Sequence, residues 1–231
     1  MTMQARLDRT LEMIERSLRD SGRVPSSVSL MAVSKTHSYK EILDLFGCSQ
    51  TLFGENRVQE VEEKFPLDRP EGMKLHLIGH LQSNKVKKIL PLVDSIDSVD
   101  SLKLAQRINS ACLAQEIRMP ILLQYNTSAE SSKSGFESED ELYTALDAIS
   151  EMQGLRVGGL MTIGPLVGGE KETRSAFALL RELQQTCTDR YPNLDFSTLS
   201  MGMSSDFPLA IQEGATMVRV GSLLFGERLY R

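Results

Sequence analysis

A chain of 231 residues, 41% hydrophobic and 25% charged, suits one large α/β domain or two small ones around a buried core. Its net charge of −5 argues against a nucleic-acid protein, whose binding face should be basic. The local run Asn84-Lys85-Val86-Lys87-Lys88 reads as a solvated helix start.

Cys48, Cys112 and Cys187 are odd in number and form no Cys-x-x-Cys pair, so neither a zinc knuckle nor a disulfide framework is supported. Reduced thiols in the cytosol are the simpler reading. No apolar stretch approaches the roughly 20 residues that cross a bilayer. The opening segment carries charges throughout, unlike a signal peptide. A cytoplasmic protein is expected, with no membrane partner.

Leu7, Leu11, Ile14 and Leu18 recur at helical spacing, so the chain opens with an amphipathic helix. Val28 to Val33 is a short apolar strand, and Leu52-Phe53 belongs to a second. Val58, Val61 and Phe65 mark a helix, Leu75 to Ile78 a strand and Ser83 to Leu90 a helix. Ser95 to Val99 reads as a strand, Leu102 to about Gln115 as a helix and Ile121 to Tyr125 as a strand. Ser138 and Glu141 have capping-box spacing before Leu142, Ala145, Leu146 and Ile149 on one helical face. Leu155 to Ile163 is strand-like and Glu172 to about Thr186 helical. Phe196 to Met201 and Met217 to Val220 close the series, with a short helix between them that stops at Gly214.

About eight strands alternating with helices imply a parallel sheet. That many units in this length match a closed (β/α)8 TIM-type barrel. The competitor, a doubly wound open sheet, places a Gly-rich loop after its first strand. Here that position reads Ser34-Lys35-Thr36-His37. With no linker or composition shift, residues 1–231 read as a single barrel domain with an extra N-terminal helix.

Barrel chemistry sits where the strands end, and phosphate often lies in the loops after strands seven and eight. Lys35 follows the first strand; a partly desolvated amine there loses its proton more readily and becomes a nucleophile. Ser200-Met-Gly-Met-Ser-Ser-Asp206 follows the seventh strand, and Arg219-Val-Gly-Ser222 the eighth. Each offers a glycine for close backbone approach and a hydroxyl, and Ser204 or Ser205 would cap the following helix. Together they suggest a phosphate site. Arg219 alternates with Val218 and Val220, which points it into the barrel mouth, where it needs an acceptor.

Two constellations are set aside. His76 and His80 on a strand stand about 13 Å apart, too far for one metal ion. Asp94, Asp97 and Asp100 read as a solvated turn, and no Gly-x-Ser-x-Gly elbow marks a hydrolase.

Ala32-Val-Ser-Lys-Thr36, Phe53-Gly-Glu-Asn56 with Val58-Gln-Glu60, and His76-Leu-Ile-Gly79 with Leu81-Gln-Ser-Asn-Lys85 occur in order. Asn126 with Glu130, Lys133, Ser134 and Gly135, then Gly159-Leu-Met-Thr162, follow. The last blocks are Leu199-Ser-Met-Gly-Met-Ser204 and Gly214-Ala-Thr-Met-Val-Arg-Val-Gly221, with Phe225-Gly226. The set closely resembles the YggS/PROSC family of pyridoxal phosphate (PLP) homeostasis proteins, from about residue 28 to 226. Members are similar in fold to the barrel domain of alanine racemase, the type III PLP-binding fold. The resemblance implies that Lys35 carries PLP as a covalent aldimine (a Schiff base). It implies that Ser200, Gly202, Gly221 and Ser222 surround the phosphate, with Ser204 nearby. Asn56 would line the ring pocket and Arg219 would meet the pyridine nitrogen. Thr36-His37-Ser38 departs from the Thr-Lys-Pro of many relatives, and Ser222 stands where Thr is common.

A racemase needs bases on both faces of the cofactor adduct. In alanine racemase the opposite-face tyrosine comes from a partner subunit, and a C-terminal β-domain supports that assembly. This chain runs only five residues past Gly226, so no such domain is expected. An arginine at the pyridine nitrogen would also weaken the ring as an electron sink. The resemblance therefore favours a monomeric protein of PLP homeostasis that holds and supplies the cofactor, with PLP-dependent apo-enzymes as recipients and no strong catalytic activity. The alternatives are a slow PLP-dependent amino-acid racemase and a regulator acting through its surface.

Overall fold

The opening apolar stripe folds as α1 (Met3–Asp20), started by Thr2, whose hydroxyl accepts the Ala5 N–H. It buries Leu7, Ile14 and Leu18 and leaves Leu11 exposed. The computed structural model describes residues 1–128, 130, 134–165 and 169–226. After α1 come β1 (Ser29–Val33), α2 (Tyr39–Phe46), β2 (Leu52–Glu55), α3 (Val58–Lys64) and β3 (Lys74–Leu77). A 3₁₀ turn at Ser83–Lys85 leads into α4 (Val86–Ile89), then β4 (Ser95–Val99), α5 (Leu102–Leu113) and β5 (Met119–Gln124). The chain continues through α6 (Glu139–Ile149), β6 (Leu155–Met161), α7 (Glu170–Arg190) and β7 (Thr198–Met203). It ends with α8 (Phe207–Gln212), β8 (Met217–Val220) and α9 (Ser222–Phe225).

Each strand pairs in parallel with the next, and β8 closes on β1 from Ser29 opposite Met217 to Ala32 opposite Val220. This is the (β/α)8 barrel expected from the alternation of elements. Period-two strands divide the core in two. Leu30, Ala32, Phe53, Leu75 and Leu77 belong to the large layer between barrel and helices. Met31, Val33, Ile78 and Met217 form a small cluster of their own on the other side of the wall. Gly54 makes room for it, since a Cβ there would approach Met31 Sδ to 2.6 Å.

Polar pairs accompany that inner cluster. His76 Nδ1 lies 2.9 Å from Asp97 Oδ2, and Ser95 Oγ donates to Asp97 Oδ1 at 2.6 Å. The solvated-turn expectation for the three aspartates therefore fails for Asp97, which is fully buried. Asp94 receives the Leu75 N–H and pairs with Arg69 and Lys74, while Asp100 pairs with His80. Each histidine thus has its own carboxylate, and no group of residues suited to a metal ion occurs among the described residues.

The caps differ from expectation. Ser138 accepts the Glu141 N–H, but the Glu141 carboxylate takes the N–H of Glu137, one residue earlier than a reciprocal box requires. A full box instead joins Ser38 and Glu41 at the start of α2, whose stripe of Ile42 and Leu45 is buried. No helix among the described residues is long and apolar enough to cross a membrane.

Candidate functional site

The alternation along β1 decides where Lys35 points. Leu30 and Ala32 pack toward the helices, while Met31 and Val33 lie in the inner cluster. Continuing the period sends Ser34 outward, where its hydroxyl meets the buried Glu55, and Lys35 inward at the rim.

There Lys35 lines a cavity of about 430 Å³ at the C-terminal ends of the strands, within the 300–1,000 Å³ typical of ligand sites. Asn56, Ser204, Arg219, Gly221 and Ser222 line the same cavity. Val33, Ile78, Ile163 and Met203 give it apolar walls, and His37, Ser205 and Gly226 complete it. Two other hollows are comparable in size. One of about 500 Å³ is walled mainly by polar side chains such as Arg57, Glu63 and Gln82. The other, about 520 Å³, opens at the N-terminal strand ends around Lys74, Asp94 and Arg156, the face of a barrel that serves stability.

Arg219 is 4% exposed, and its guanidinium is held by neutral partners. Nη1 donates to Ser200 Oγ at 2.8 Å and Nη2 to the Thr162 carbonyl at 2.7 Å. Burial pulls its pKa down to about 10, with the charges of Asp97 and Asp206 opposing the shift through space. The group still carries its charge at neutral pH and presents it at the cavity wall.

Two of the expected phosphate residues, Ser200 and Gly202, are not among the cavity's lining. Ser200 is fully buried and spends its hydroxyl on Arg219 rather than lining the cavity. Gly202, at φ +92°, faces α8, where a Cβ would come within 2.9 Å of the Phe207 Cα. Between β7 and β8, Ser200 pairs with Met217 but Met203 pairs with Arg219, so one strand carries an extra residue. This bulge bends the end of β7. The cap of α8 is Asp206, whose side chain accepts the Met203 N–H, and neither Ser204 nor Ser205 is the cap. Ser204 Oγ instead accepts the Gly221 N–H at 3.3 Å, joining the loops after β7 and β8.

His37 was assigned no role from sequence, yet it stacks on Phe225 with ring centres 4.4 Å apart. That contact ties the loop after β1 to α9. Neither His37 nor Ile163 stands out by pattern; both follow strand ends, which is the one signal that could have found them. Asn126 donates to the Glu130 carbonyl at the end of β5, and Lys133 lies outside the described residues.

Relatives match nearly the whole chain. The family model for the alanine racemase N-terminal domain matches residues 11–229. The pyridoxal phosphate homeostasis protein of Aquifex aeolicus is 39% identical over 97% of this chain and 98% of its own. The chain belongs to the pyridoxal phosphate homeostasis protein family. The family member from Vibrio cholerae is likewise 39% identical, over 99% of this chain and 98% of its own. Among solved structures, PipY of Synechococcus elongatus without PLP superimposes with a TM-score of 0.86 at 39% identity, covering 97% of this chain and all of PipY. PipY with PLP bound gives 0.83 at 38% identity over the same share. An alanine racemase of Clostridium difficile, 13% identical, shares the fold at a TM-score of 0.68, and this chain covers 57% of its length.

Proposed function

We propose that the chain, acting as one domain over residues 1–231, binds PLP in the 430 Å³ cavity and holds it through Lys35. The observation that carries this is the convergence of an amine, a buried guanidinium and two linked hydroxyl loops on one apolar-walled cavity. That donor set fits a flat aromatic aldehyde bearing a phosphate. When bound, PLP supplies an aldehyde that condenses with amines and a ring that takes up electrons.

The residues divide the work by chemistry. Lys35 supplies the amine. Ser204 and Ser222 offer hydroxyls, and Gly221 a close backbone approach, to the phosphate. Ser200 reaches the ligand only through Arg219, and Gly202 only by shaping the loop that carries Ser204. Asn56, Ile78 and Val33 would line the ring. Arg219 would hold the pyridine nitrogen from the cavity wall and, remaining protonated, would leave that nitrogen without a proton of its own. A ring so held is a poor electron sink. This supports a carrier: a cytoplasmic, monomeric protein that stores PLP and releases it to apo-enzymes.

One observation favours a second reading, slow amino-acid racemisation. His37 lines the cavity and sits 3.2 Å from Glu41, which gives a base other than Lys35 near the site. Mixing the PLP-loaded protein with a PLP-dependent apo-enzyme tests the carrier. Recovery of activity is expected at a rate set by release from Lys35, with no racemisation of L-amino acids above a free-PLP control. Turnover that vanishes in both Lys35→Ala and His37→Asn would establish the racemase instead.

A further inference from the structure

Lys35 stands between two residues gripped by one charged cluster on the outer side of the barrel wall. Ser34 Oγ donates to Glu55 Oε1 at 2.8 Å. Thr36, held in the left-handed region at φ +68°, donates its N–H to Glu60 Oε2 at 2.9 Å. Lys64 joins the two carboxylates, donating to Glu60 Oε2 at 2.6 Å and Glu55 Oε1 at 3.2 Å, and also to the Ser34 carbonyl at 3.3 Å. Glu55 has no exposed side-chain surface, and those of Lys64 and Glu60 are 16% and 18% exposed.

Such a cluster is costly to bury. Glu55 Oε2 has no partner, and burial drives the Glu55 carboxyl above its usual range against the pull of Lys64 and Ser34. Apolar side chains of similar volume often stabilise a fold as well as a buried ion pair does. A threonine at positive φ also persists only where its surroundings impose it. Barrel closure does not require the cluster, because β1 and β2 already pair through Ala32–Phe53 and Val33–Gly54. What the cluster fixes is the backbone on both sides of Lys35. Of the other polar wall residues, Ser204, Ser205, Arg219 and Ser222 sit on the ends of β7 and β8, whereas Asn56 and His37 adjoin the cluster's own strand ends.

We propose, resting on the role given to Lys35 above, that Glu55, Glu60 and Lys64 are positioning residues for its amine. They hold the Ser34–Thr36 backbone so that Lys35 enters the cavity. In capture, the Lys35 nitrogen bonds to an aldehyde carbon and the aldehyde oxygen leaves as water. Covalent capture depends on the cluster; the non-covalent grip does not.

The test uses the full chain with Glu60→Ala, Glu60→Gln and Lys64→Met. Three quantities are read: the rate of reductive methylation of Lys35 without cofactor, the rate of PLP capture trapped by borohydride, and affinity for pyridoxine 5′-phosphate, which lacks an aldehyde. Glu60→Ala and Lys64→Met should change Lys35 methylation and slow capture by about ten-fold, the size of a lost charge-assisted hydrogen bond. Pyridoxine phosphate affinity should stay within about two-fold, and Glu60→Gln, which keeps an acceptor for the Thr36 N–H, should restore capture. Should Lys64→Met fail to fold, the Glu60 pair decides alone. Unchanged capture in Glu60→Ala, or a parallel loss of pyridoxine phosphate binding, overturns the proposal. Trapping on another lysine in the unaltered protein removes the Lys35 reading and this inference with it; trapping on Lys35 with unchanged capture removes the inference alone.

Discussion

Replacing Arg219 with methionine separates what this residue does for the fold from what it does for a ligand. Pulling its pKa from 12.5 to about 10 corresponds to about 3 kcal/mol lost to folding by burying the charge. Against this stand two hydrogen bonds from a charged donor, to Ser200 and Thr162, each contributing about 1.5–3 kcal/mol. The opposing effects nearly offset, and Met fills much of the same volume. Arg219→Met should therefore shift the unfolding free energy in urea by less than about 3 kcal/mol. PLP affinity should fall about ten-fold or more, since a single charge-assisted hydrogen bond to the ring is worth at least that. The pair of measurements is urea unfolding of the cofactor-free protein and PLP titration by absorbance. A loss above about 4 kcal/mol with unchanged PLP affinity would refute the reasoning, marking Arg219 as a strut of the barrel.

Ser204→Ala and Ser222→Ala should each weaken PLP by roughly ten-fold while leaving unphosphorylated pyridoxal unchanged; equal losses for both ligands would place the hydroxyls away from the phosphate. Gly202→Ala puts a Cβ 2.5 Å from that of Ala210 at φ +92°, so urea unfolding should show a loss of about 2–4 kcal/mol, and a loss below about 1 kcal/mol would mean that α8 simply yields. His76 is held above its ordinary 6.5, because its pairing with Asp97 outweighs the burial that lowers it. A raised folded value stabilises fully below the unfolded one and is lost as pH rises through the folded one. His76→Gln should accordingly cost more stability at about pH 5 than at about pH 9, and thermal melts showing a pH-independent cost would contradict this.

The barrel was legible because most strands declared themselves in local terms, with Leu52-Phe53 completing the count. Val28 to Val33, Ile121 to Tyr125 and Met217 to Val220 are β-rich runs set between helical stripes, and the count of units implied closure. Arg219 was legible for the same reason, as period two turns it inward from Val218 and Val220; Lys35 stood out only as a lysine after the first strand and through the family resemblance. What local pattern does not carry is depth along the barrel axis. Ser200 and Ser204 look equivalent in sequence, but the extra residue between the Met217 and Arg219 pairings leaves Ser200 beneath Arg219 and Ser204 at the cavity wall. Asp97 was misread because a lone acidic side chain reads as solvated until its partner is known, and His76 lies on the neighbouring strand. In the Lys35 cluster only Glu60 and Lys64, four apart on α3, formed a readable pair. Their contacts, Glu60 with the Thr36 N–H and Lys64 with the Ser34 carbonyl, depend on where the loop after β1 runs relative to that helix.

The role of Lys35 is open to one direct measurement. The purified protein, loaded with PLP, is reduced with borohydride, digested and mapped by mass, with Lys35→Ala treated in parallel. The expected result is one modified peptide containing Lys35, absent from a Lys35→Ala protein that still binds PLP weakly through the loops after β7 and β8. Cofactor mass on another lysine, such as Lys85, or undiminished labelling of Lys35→Ala, would contradict it.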